Sequence, residues 1–301
     1  MRGIRQHFLI AGAILSSLAV SAFAIESTPI IVTAQAPKDA QASAVGQHDV
    51  VANVGHQPAN VTNWRALRDD PAGLELWILI DDGTNSRVGI QFNDIRDFIR
   101  QQPPQIKVGV GYLQYGAVKT AQKPTTDHEA AAKSVRLPTA MPGISASPYI
   151  ALADFLHHLP KLPAQPREVI LISSGIDPYY GPGPQNPYLE TAIQDSQKAG
   201  VPVQTIYFSS AGRAGHRYWL IDWGQNDLSQ LSDETGGRFY WEGTSNPIAF
   251  KPFFDDLNRR IAEQYVMRLD TASQHKGFEP LNLKTESPGI KLVGPAQVHT
   301  P

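Results

Sequence analysis

A nearly continuous apolar run at residues 74–80 constrains the fold of this chain more than any other feature. The run reads Leu-Glu-Leu-Trp-Ile-Leu-Ile and stops at two carboxylates, Asp81 and Asp82. A run of this length, apolar on both faces, is typical of a strand buried in the middle of a parallel sheet. From about residue 86 one apolar stripe follows at helical spacing: Val88, Phe92, Ile95 and Ile99. The sequence therefore predicts an α/β fold with Asp81 at the carboxyl end of a central strand, the edge where open sheets bind ligands.

The residues after this first unit repeat the alternation of strand and helix. Strands are predicted at residues 107–114, 117–121, 168–175, 201–208 and 238–241. Helices are predicted at residues 127–135, 148–159, 189–199 and 252–263, with a short one around Leu228 and Leu231. Residues 174–188 and 208–224 are predicted to be long loops. Together the patterns predict a doubly wound, mostly parallel sheet with helices on both faces.

The two ends of the chain have a different pattern. Residues 25–67 and 264–301 contain β-branched and alternating apolar segments, separated by turn signals such as Pro288-Gly289. Neither segment is large enough to bury a core of its own. We therefore expect them to pair into one small β layer beside an α/β domain formed by residues 68–263.

Residues 1–24 have the pattern of a secretory signal peptide. Arg2 and Arg5 precede an apolar core at residues 8–20, and Ala22 and Ala24 offer small residues for cleavage. The alternative is an uncleaved anchor, but a membrane span needs about 20 apolar residues and this core is shorter. The sequence predicts a secreted or periplasmic protein, with no membrane span after the signal is removed.

Composition excludes several classes of site and partner. The chain has no cysteine, which rules out disulfides, thiolate metal sites and a cysteine nucleophile. Its formal net charge is −2 and it has no block of basic residues, which argues against nucleic acid as the main partner.

A hydrophobic strand that ends in Asp-x-Ser-x-Ser before a helix is the first motif of the von Willebrand factor A-like (vWA) domain, and residues 74–85 resemble it. Here the motif reads Asp81-x-Gly83-x-Asn85, so the aspartate is kept and both serines are replaced. The Glu-Thr-Gly-Gly-aromatic pattern at residues 234–239 is also similar. With its β-flanked domain and its tail, the chain resembles the secreted bacterial proteins called VWFA-related. The resemblance implies a vWA-like fold.

In that family the motif builds a metal-ion-dependent adhesion site, and the resemblance implies a degenerate form of it here. Ser147 stands where the family has a threonine, and Ser174 stands where it has a second aspartate. The rim residues are then Asp81, Asp82, Asn85, Ser147 and Ser174. Strand alternation turns Asp82 away from Asp81, and Ser147 also fits a simple helix N-cap. Mg²⁺ prefers about six oxygen ligands, so we expect no bound metal or cofactor; weak Mg²⁺ binding is the alternative.

An enzyme is not expected from these motifs. Ser145 and Ser147 lie in Gly-Ile-Ser-Ala-Ser, which is not a nucleophile elbow. No carboxylate–histidine pair stands at a meaningful spacing, although a triad assembled in space leaves a secreted hydrolase as an alternative.

Aromatic residues are concentrated in the loops that are predicted to converge at the carboxyl ends of the strands. They are Tyr179, Tyr180, Tyr188, Tyr218, Trp219 and Trp223. Such residues are enriched where proteins bind partners. The alternative is that they pack the loops onto the sheet, above all Trp219 and Trp223. We expect a non-enzymatic binding module whose partner is a protein, a peptide or a cell-envelope ligand.

Overall fold

The computed structural model describes residues 28–37, 44–139, 147–160, 165–180, 183–270 and 275–300. The predicted signal peptide at residues 1–24 and Ser145 lie outside these ranges. None of the helices in the described part of the chain combines the length and apolarity that a bilayer span requires.

The strands and helices alternate through the middle of the chain and give way to strands alone at both ends. The strands are β1 Ile30–Gln35, β2 Val50–Val54, β3 Gln57–Ala66, β4 Glu75–Asp81, β5 Lys107–Gln114, β6 Ala117–Thr125, β7 Arg167–Ser173, β8 Val203–Tyr207, β9 Phe239–Tyr240, β10 Gln264–Asp270, β11 Gly277–Thr285, β12 Lys291–Val293 and β13 Gln297–Thr300. The α-helices are α1 Phe92–Arg100, α2 His128–Lys133, α3 Pro148–His158, α4 Pro187–Ala199, α5 Tyr218–Thr235 and α6 Lys251–Ala262. Short 3₁₀ helices lie at Gln47–Asp49, Leu67–Asp69, Ser86–Gln91 and Gly212–His216.

The strand of the apolar run, β4, lies in the interior of a six-stranded sheet of order β6-β5-β4-β7-β8-β9. It pairs in parallel with β5 and β7, so that Ile78 lies beside Val110 on one side and Ile170 on the other. The pairs β7–β8 and β8–β9 are also parallel, whereas β6 joins β5 antiparallel at the edge. The predicted α/β class is confirmed, in the form of a mixed sheet.

Alternate residues of β4 enter different cores because side chains of a strand point to opposite faces. Ile78 and Ile80 are buried in a core with residues of α1 and α6. Trp77 and Leu79 are buried in a second core with residues of α3, α4 and α5. The helices therefore cover both faces of the sheet, which explains why residues 76–80 of β4 are all apolar.

The terminal segments form one antiparallel sheet, as their small size predicted. Its order is β12-β1-β10-β3-β2-β11-β13, so strands from both ends of the chain are interleaved. Val32 pairs with Tyr265, for example, and Trp64 pairs with Met267. The prediction of a small layer was wrong, since this sheet has seven strands and a core of its own. The α/β domain is inserted between two of its neighbouring strands, β3 and β10.

A buried carboxylate connects the two sheets. Glu168 of β7 accepts hydrogen bonds from Gln204 Nε2 at 2.7 Å and from Gln264 Nε2 at 2.9 Å. Gln264 begins β10, so the contact crosses from the α/β domain to the antiparallel sheet. Burial raises the pKa of Glu168, and the two amide donors partly oppose that shift.

The prediction of a loop over residues 208–224 was wrong from residue 218 onwards, because α5 begins at Tyr218. The buried face of this helix is formed by Ile221, Gly224, Leu228, Leu231 and Thr235. A glycine in the middle of the stripe hides the helical pattern in the sequence. It is there because a Cβ at Gly224 would lie 2.3 Å from the carbonyl oxygen of Ser174, so the helix packs directly on the turn after β7.

Candidate functional site

Asp81 is the last residue of β4 and lies at the carboxyl edge of the sheet with 4% of its surface exposed. Its Oδ1 accepts a hydrogen bond from Gly83 N at 2.8 Å, and its Oδ2 accepts one from Ser173 Oγ at 2.7 Å. Burial raises the pKa of Asp81 to about 6, although these two hydrogen bonds act in the opposite direction. Both carboxylate oxygens are thus engaged within the protein, and the side chain ties β4 to the end of β7.

A cleft of about 300 Å³ opens beside Asp81. Two of the residues predicted from sequence line it, Asp81 and Ser174. The remaining lining comes from the loops after β4, β7 and β8, and consists of Gly83, Ile176, Pro178, Ser210, Ala211, Gly212, Arg213 and Ala214.

Backbone hydrogen bonds join the loops on two sides of this cleft. Asn85 N donates to Ser209 O at 2.8 Å, and Ala211 N donates to Gly83 O at 3.0 Å. These bonds hold the loop after β4 against the loop after β8, so the two segments form one continuous wall.

Asp82 lies on the other side of the strand from this cleft, as strand alternation predicted. Its carboxylate accepts hydrogen bonds from Gln114 Nε2 and from Thr139 Oγ1, the latter at 3.3 Å, and it lies 3.5 Å from Arg136 Nη1. The Arg136 guanidinium also stacks on the Tyr112 ring, with 3.7 Å between its Cζ and the ring centroid. Asp82 is therefore a buried structural carboxylate and does not line the cleft.

Asn85 and Ser147 act as helix caps. Asn85 Oδ1 accepts from Arg87 N at 3.0 Å at the start of a 3₁₀ helix. Ser147 Oγ accepts from Tyr149 N at 3.2 Å at the start of α3, and donates to Asp177 Oδ2 at 2.6 Å. The expectation that Ser147 caps a helix is confirmed by these contacts.

The sequence interpretation missed the part that Asp177 plays beside Ser147. Besides the Ser147 hydroxyl, this buried carboxylate accepts hydrogen bonds from Tyr179 N at 2.8 Å, from Tyr180 N at 3.1 Å and from Asn186 Nδ2 at 3.3 Å. The only sequence signal was its position, three residues after the family's second aspartate. It fixes the loop after β7 to the start of α3.

A second carboxylate lies close to this group. Asn186 Nδ2 also lies 3.3 Å from Asp227 Oδ2, and burial raises the pKa of Asp227 to about 6. The Asn186 hydrogen bond lowers that pKa and the charge of Asp177 raises it.

The donor set at the carboxyl edge does not fit the Mg²⁺ site that the family resemblance implies. Asp81 has both oxygens hydrogen-bonded to the protein, Gly83 has no side chain, and the oxygens of Asn85 and Ser147 accept from helix amides. Within the described ranges no three Asp, Glu or His side chains are grouped so that they could hold a metal. Since Mg²⁺ needs about six oxygens in near-octahedral geometry, these residues offer too few.

The aromatic residues of the loops are exposed to different degrees. Tyr179 and Tyr218 are 66% and 73% exposed, and Trp219 is 48% exposed on the first turn of α5. The alternative in which Trp219 packs under a loop is therefore wrong, whereas Trp223 is partly buried.

The exposed apolar side chains of the described chain are concentrated at one edge of the α/β sheet. Of eleven large ones, ten lie in the segments at the carboxyl ends of the strands and one, Val51, lies on the antiparallel sheet. The ten are Ile90, Tyr115, Leu137, Tyr179, Tyr180, Tyr188, Tyr218, Trp219, Trp241 and Ile248. We call the surface formed by these ten residues and the cleft the loop face.

Comparisons with known proteins found similarity among solved structures alone. No protein-family model matches the chain, and no curated protein matches it. An aerotolerance-related membrane protein from Bacteroides fragilis is 14% identical, with 63% of this chain and 98% of that chain covered and a TM-score of 0.46. BatB from Bacteroides thetaiotaomicron has the same identity and coverage and a TM-score of 0.45. A von Willebrand factor type A structure from Catenulispora acidiphila is 11% identical over 91% of this chain and 74% of that chain, with a TM-score of 0.44.

The motif residues lie at the carboxyl edge of the α/β sheet. Asp81 ends the central strand, Ser174 follows the neighbouring parallel strand, and Ser147 precedes the helix α3. These are the places that the family resemblance predicts for them, and the chain has a vWA-like fold.

Proposed function

We propose that this chain is an exported, non-enzymatic binding module that holds a protein, peptide or cell-envelope ligand on its loop face. The observation that carries the proposal is the location of the exposed apolar side chains, ten of eleven at this one edge. Large exposed aromatic residues are the types that contribute most to binding interfaces.

The size of the loop face suits a protein or peptide partner. Six strands spaced about 4.8 Å apart give an edge roughly 25 Å wide. A stable protein–protein interface takes about 800 Å² from each partner, which an edge of this width can supply together with its loops. The cleft beside Asp81 provides a concave feature within it.

The proposed mode of binding is independent of metal. Among the described residues that line the cleft, Asp81 is the one carboxylate, and both its oxygens already accept hydrogen bonds. A ligand would then contact side chains and backbone groups of the loops directly. A weak Mg²⁺-dependent mode is the competing outcome in the experiment below.

A hydrolase is less well supported. Ser147 Oγ donates to Asp177, and within the described ranges no hydrogen bond joins a serine hydroxyl to a histidine ring. His157 and His158 lie at the exposed end of α3 and pair with Asp195 and Asp154. A general base positioned against a nucleophile is what this chemistry requires, and a panel of ester and peptide substrates tests the alternative directly.

Capture of partners on the immobilised chain tests the binding proposal. Wild type, the double variant Tyr180→Ala/Trp219→Ala and the control Val51→Ala are compared for the proteins and envelope fragments they retain. Val51 is the exposed apolar residue outside the loop face. We expect the double variant to lose the retained set and the control to keep it. Equal retention by both variants would place the binding surface elsewhere.

The same capture in EDTA and in Mg²⁺ separates the two modes. Retention that is unchanged by EDTA supports the metal-independent mode, and retention that appears with Mg²⁺ alone contradicts it. Export is tested by fractionating producing cells and sequencing the amino terminus of the released protein, which should begin near residue 25.

A further inference from the structure

Three exposed arginine side chains on the loop face have no partner within the described residues. The guanidinium groups of Arg87, Arg213 and Arg217 form neither an ion pair nor a hydrogen bond there. Most other arginines of the described chain lie within 4.0 Å of a carboxylate, namely Arg65, Arg68, Arg100, Arg136, Arg167, Arg238 and Arg259. Among the exposed arginines of the described residues, only these three therefore lack an ion pair and a hydrogen bond.

The three arginines lie on two loops that are hydrogen-bonded to each other. Arg87 lies two residues after Asn85, whose backbone N–H donates to Ser209 O in the wall of the cleft. Arg213 lines the cleft itself. Arg217 immediately precedes α5, which begins without a side-chain cap, and is followed by the exposed Tyr218 and Trp219. The cationic groups thus lie next to the aromatic part of the loop face.

Within the described residues no carboxylate forms an ion pair with these three cations, although the exposed Glu242 also lies on this face. Asp81 lines the cleft, but its two oxygens accept hydrogen bonds from Gly83 and Ser173. Asp222 is exposed one turn into α5 and forms no ion pair within the described residues. The three guanidinium groups therefore remain available to carboxylates of a partner, on a chain whose formal net charge is −2.

We propose that the loop face binds an acidic segment of a partner protein, with Arg87, Arg213 and Arg217 pairing with its carboxylates. Guanidinium groups bind carboxylates through paired, charge-assisted hydrogen bonds. Tyr218 and Trp219 contact apolar side chains that flank the acidic residues. The inference rests on the proposed binding function and specifies the partner's chemistry.

An acidic protein segment fits this surface better than a nucleic acid does. Nucleic-acid interfaces are large and strongly positive, whereas three arginines beside exposed Asp222 make a small patch. A short run of aspartate or glutamate residues needs no more cations than these.

Fluorescence anisotropy with a labelled oligoglutamate peptide tests the inference on the full chain. At about 25 mM salt, where the screening length is roughly 20 Å, wild type should bind the peptide. Arg213→Ala/Arg217→Ala should bind it about tenfold more weakly, since the variant lacks two of the three guanidinium groups that pair with the peptide. The control is Arg68→Ala, which removes an exposed arginine that pairs with Asp69 away from the loop face. It should bind like wild type.

Charge reversal and two competing probes complete the test. Arg213→Glu/Arg217→Glu should lose oligoglutamate and gain a labelled oligolysine peptide. An oligothymidine of matched length and phosphatidylglycerol vesicles should bind more weakly than oligoglutamate. Tighter binding of either probe, with greater loss in the arginine variants, would overturn the inference in favour of that class of partner. Failure of wild type to bind oligoglutamate, or equal binding by the alanine double variant, would overturn it as well.

The capture experiment distinguishes failure of this inference from failure of the proposed binding function. If Tyr180→Ala/Trp219→Ala loses its retained partners while the arginine variants keep theirs, only the acidic partner class is wrong. If both sets of variants retain everything, the loop face itself is not the binding surface.

Discussion

The hydroxyl of Ser147 donates a 2.6 Å hydrogen bond to Asp177 Oδ2 and so connects the start of α3 to the loop after β7. The same carboxylate accepts from the backbone of Tyr179 and Tyr180. One buried side chain therefore sets the position of two aromatic residues of the loop face. The family resemblance implied a metal contact for this hydroxyl, whereas in this structure it donates to a carboxylate of the protein.

Replacing Asp177 with alanine should destabilise the fold and free the loop that carries Tyr179 and Tyr180. Four hydrogen bonds to a buried carboxylate are lost, and we expect a decrease of about 3 kcal/mol in the free energy of unfolding. Urea denaturation measures it. Ser147→Ala removes a helix cap and one of the four bonds, and should cost about 1 kcal/mol. An alanine variant at 177 as stable as wild type would contradict this account of the loop.

Asp81→Asn should stabilise the chain at neutral pH and not in acid. The pKa of Asp81 is about 6 in the fold against an ordinary value of 3.8, so the folded state binds the proton more tightly than the unfolded state. The stability that protonated Asp81 contributes is then fully present below about pH 4 and is lost as the pH rises through about 6. Asparagine stays uncharged and keeps an oxygen for Gly83 N.

The expected gain for Asp81→Asn is up to about 3 kcal/mol at pH 7.5, since one pKa unit corresponds to about 1.4 kcal/mol. It should shrink towards zero near pH 4. Urea denaturation gives the free energy of unfolding of wild type and variant at both pH values. The two proteins are compared at each pH because Asp227, whose pKa is also about 6, adds a pH dependence that both share. A gain that does not change with pH would show that burial of the charge is not its cause.

Divalent cations should leave the chain unaffected. Calorimetric titration with Mg²⁺, Mn²⁺ or Ca²⁺ is expected to give no heat beyond dilution, because the oxygens of Asp81, Asn85 and Ser147 are engaged by protein donors. A bound ion at 100 times its dissociation constant would stabilise the fold by about 2.7 kcal/mol, so a thermal melt in millimolar cation is a second measurement. A micromolar transition that Asp81→Ala abolishes would refute the metal-independent mode.

Gly224→Ala should destabilise the chain although alanine favours helices. At an ordinary helix position the change would add about 1 kcal/mol, but here the new Cβ would lie 2.3 Å from Ser174 O and force α5 away from the turn. We expect a lower midpoint of thermal unfolding and weaker partner capture, since Trp219 moves with the helix. Asn226→Ala, at an exposed position of the same helix, is the matched control and should be neutral or stabilising.

The local pattern of apolar residues was enough to predict the strands and helices in which these residues recur at one regular spacing. Residues 76–80 of the run are all buried in β4, and Val88, Phe92, Ile95 and Ile99 form one buried stripe. It failed for α5, where Gly224 interrupts the apolar stripe for the sake of backbone contact. The contacts of Asp177 with Ser147 and Asn186 join residues 30 and 9 positions away, and no spacing in the sequence reveals such pairs.

The insertion of the α/β domain between β3 and β10 has a consequence for the order in which this chain can assemble. Val32 pairs across the sheet with Tyr265. Because β1 pairs, among the described strands, only with β10 and β12, it has no partner strand until residues 264–270 have been synthesised. A premature stop before residue 264 would leave β1 and β3 with open hydrogen-bonding edges, which favour aggregation. Late nonsense variants of this protein should therefore accumulate as insoluble material, even when their inserted domain is complete.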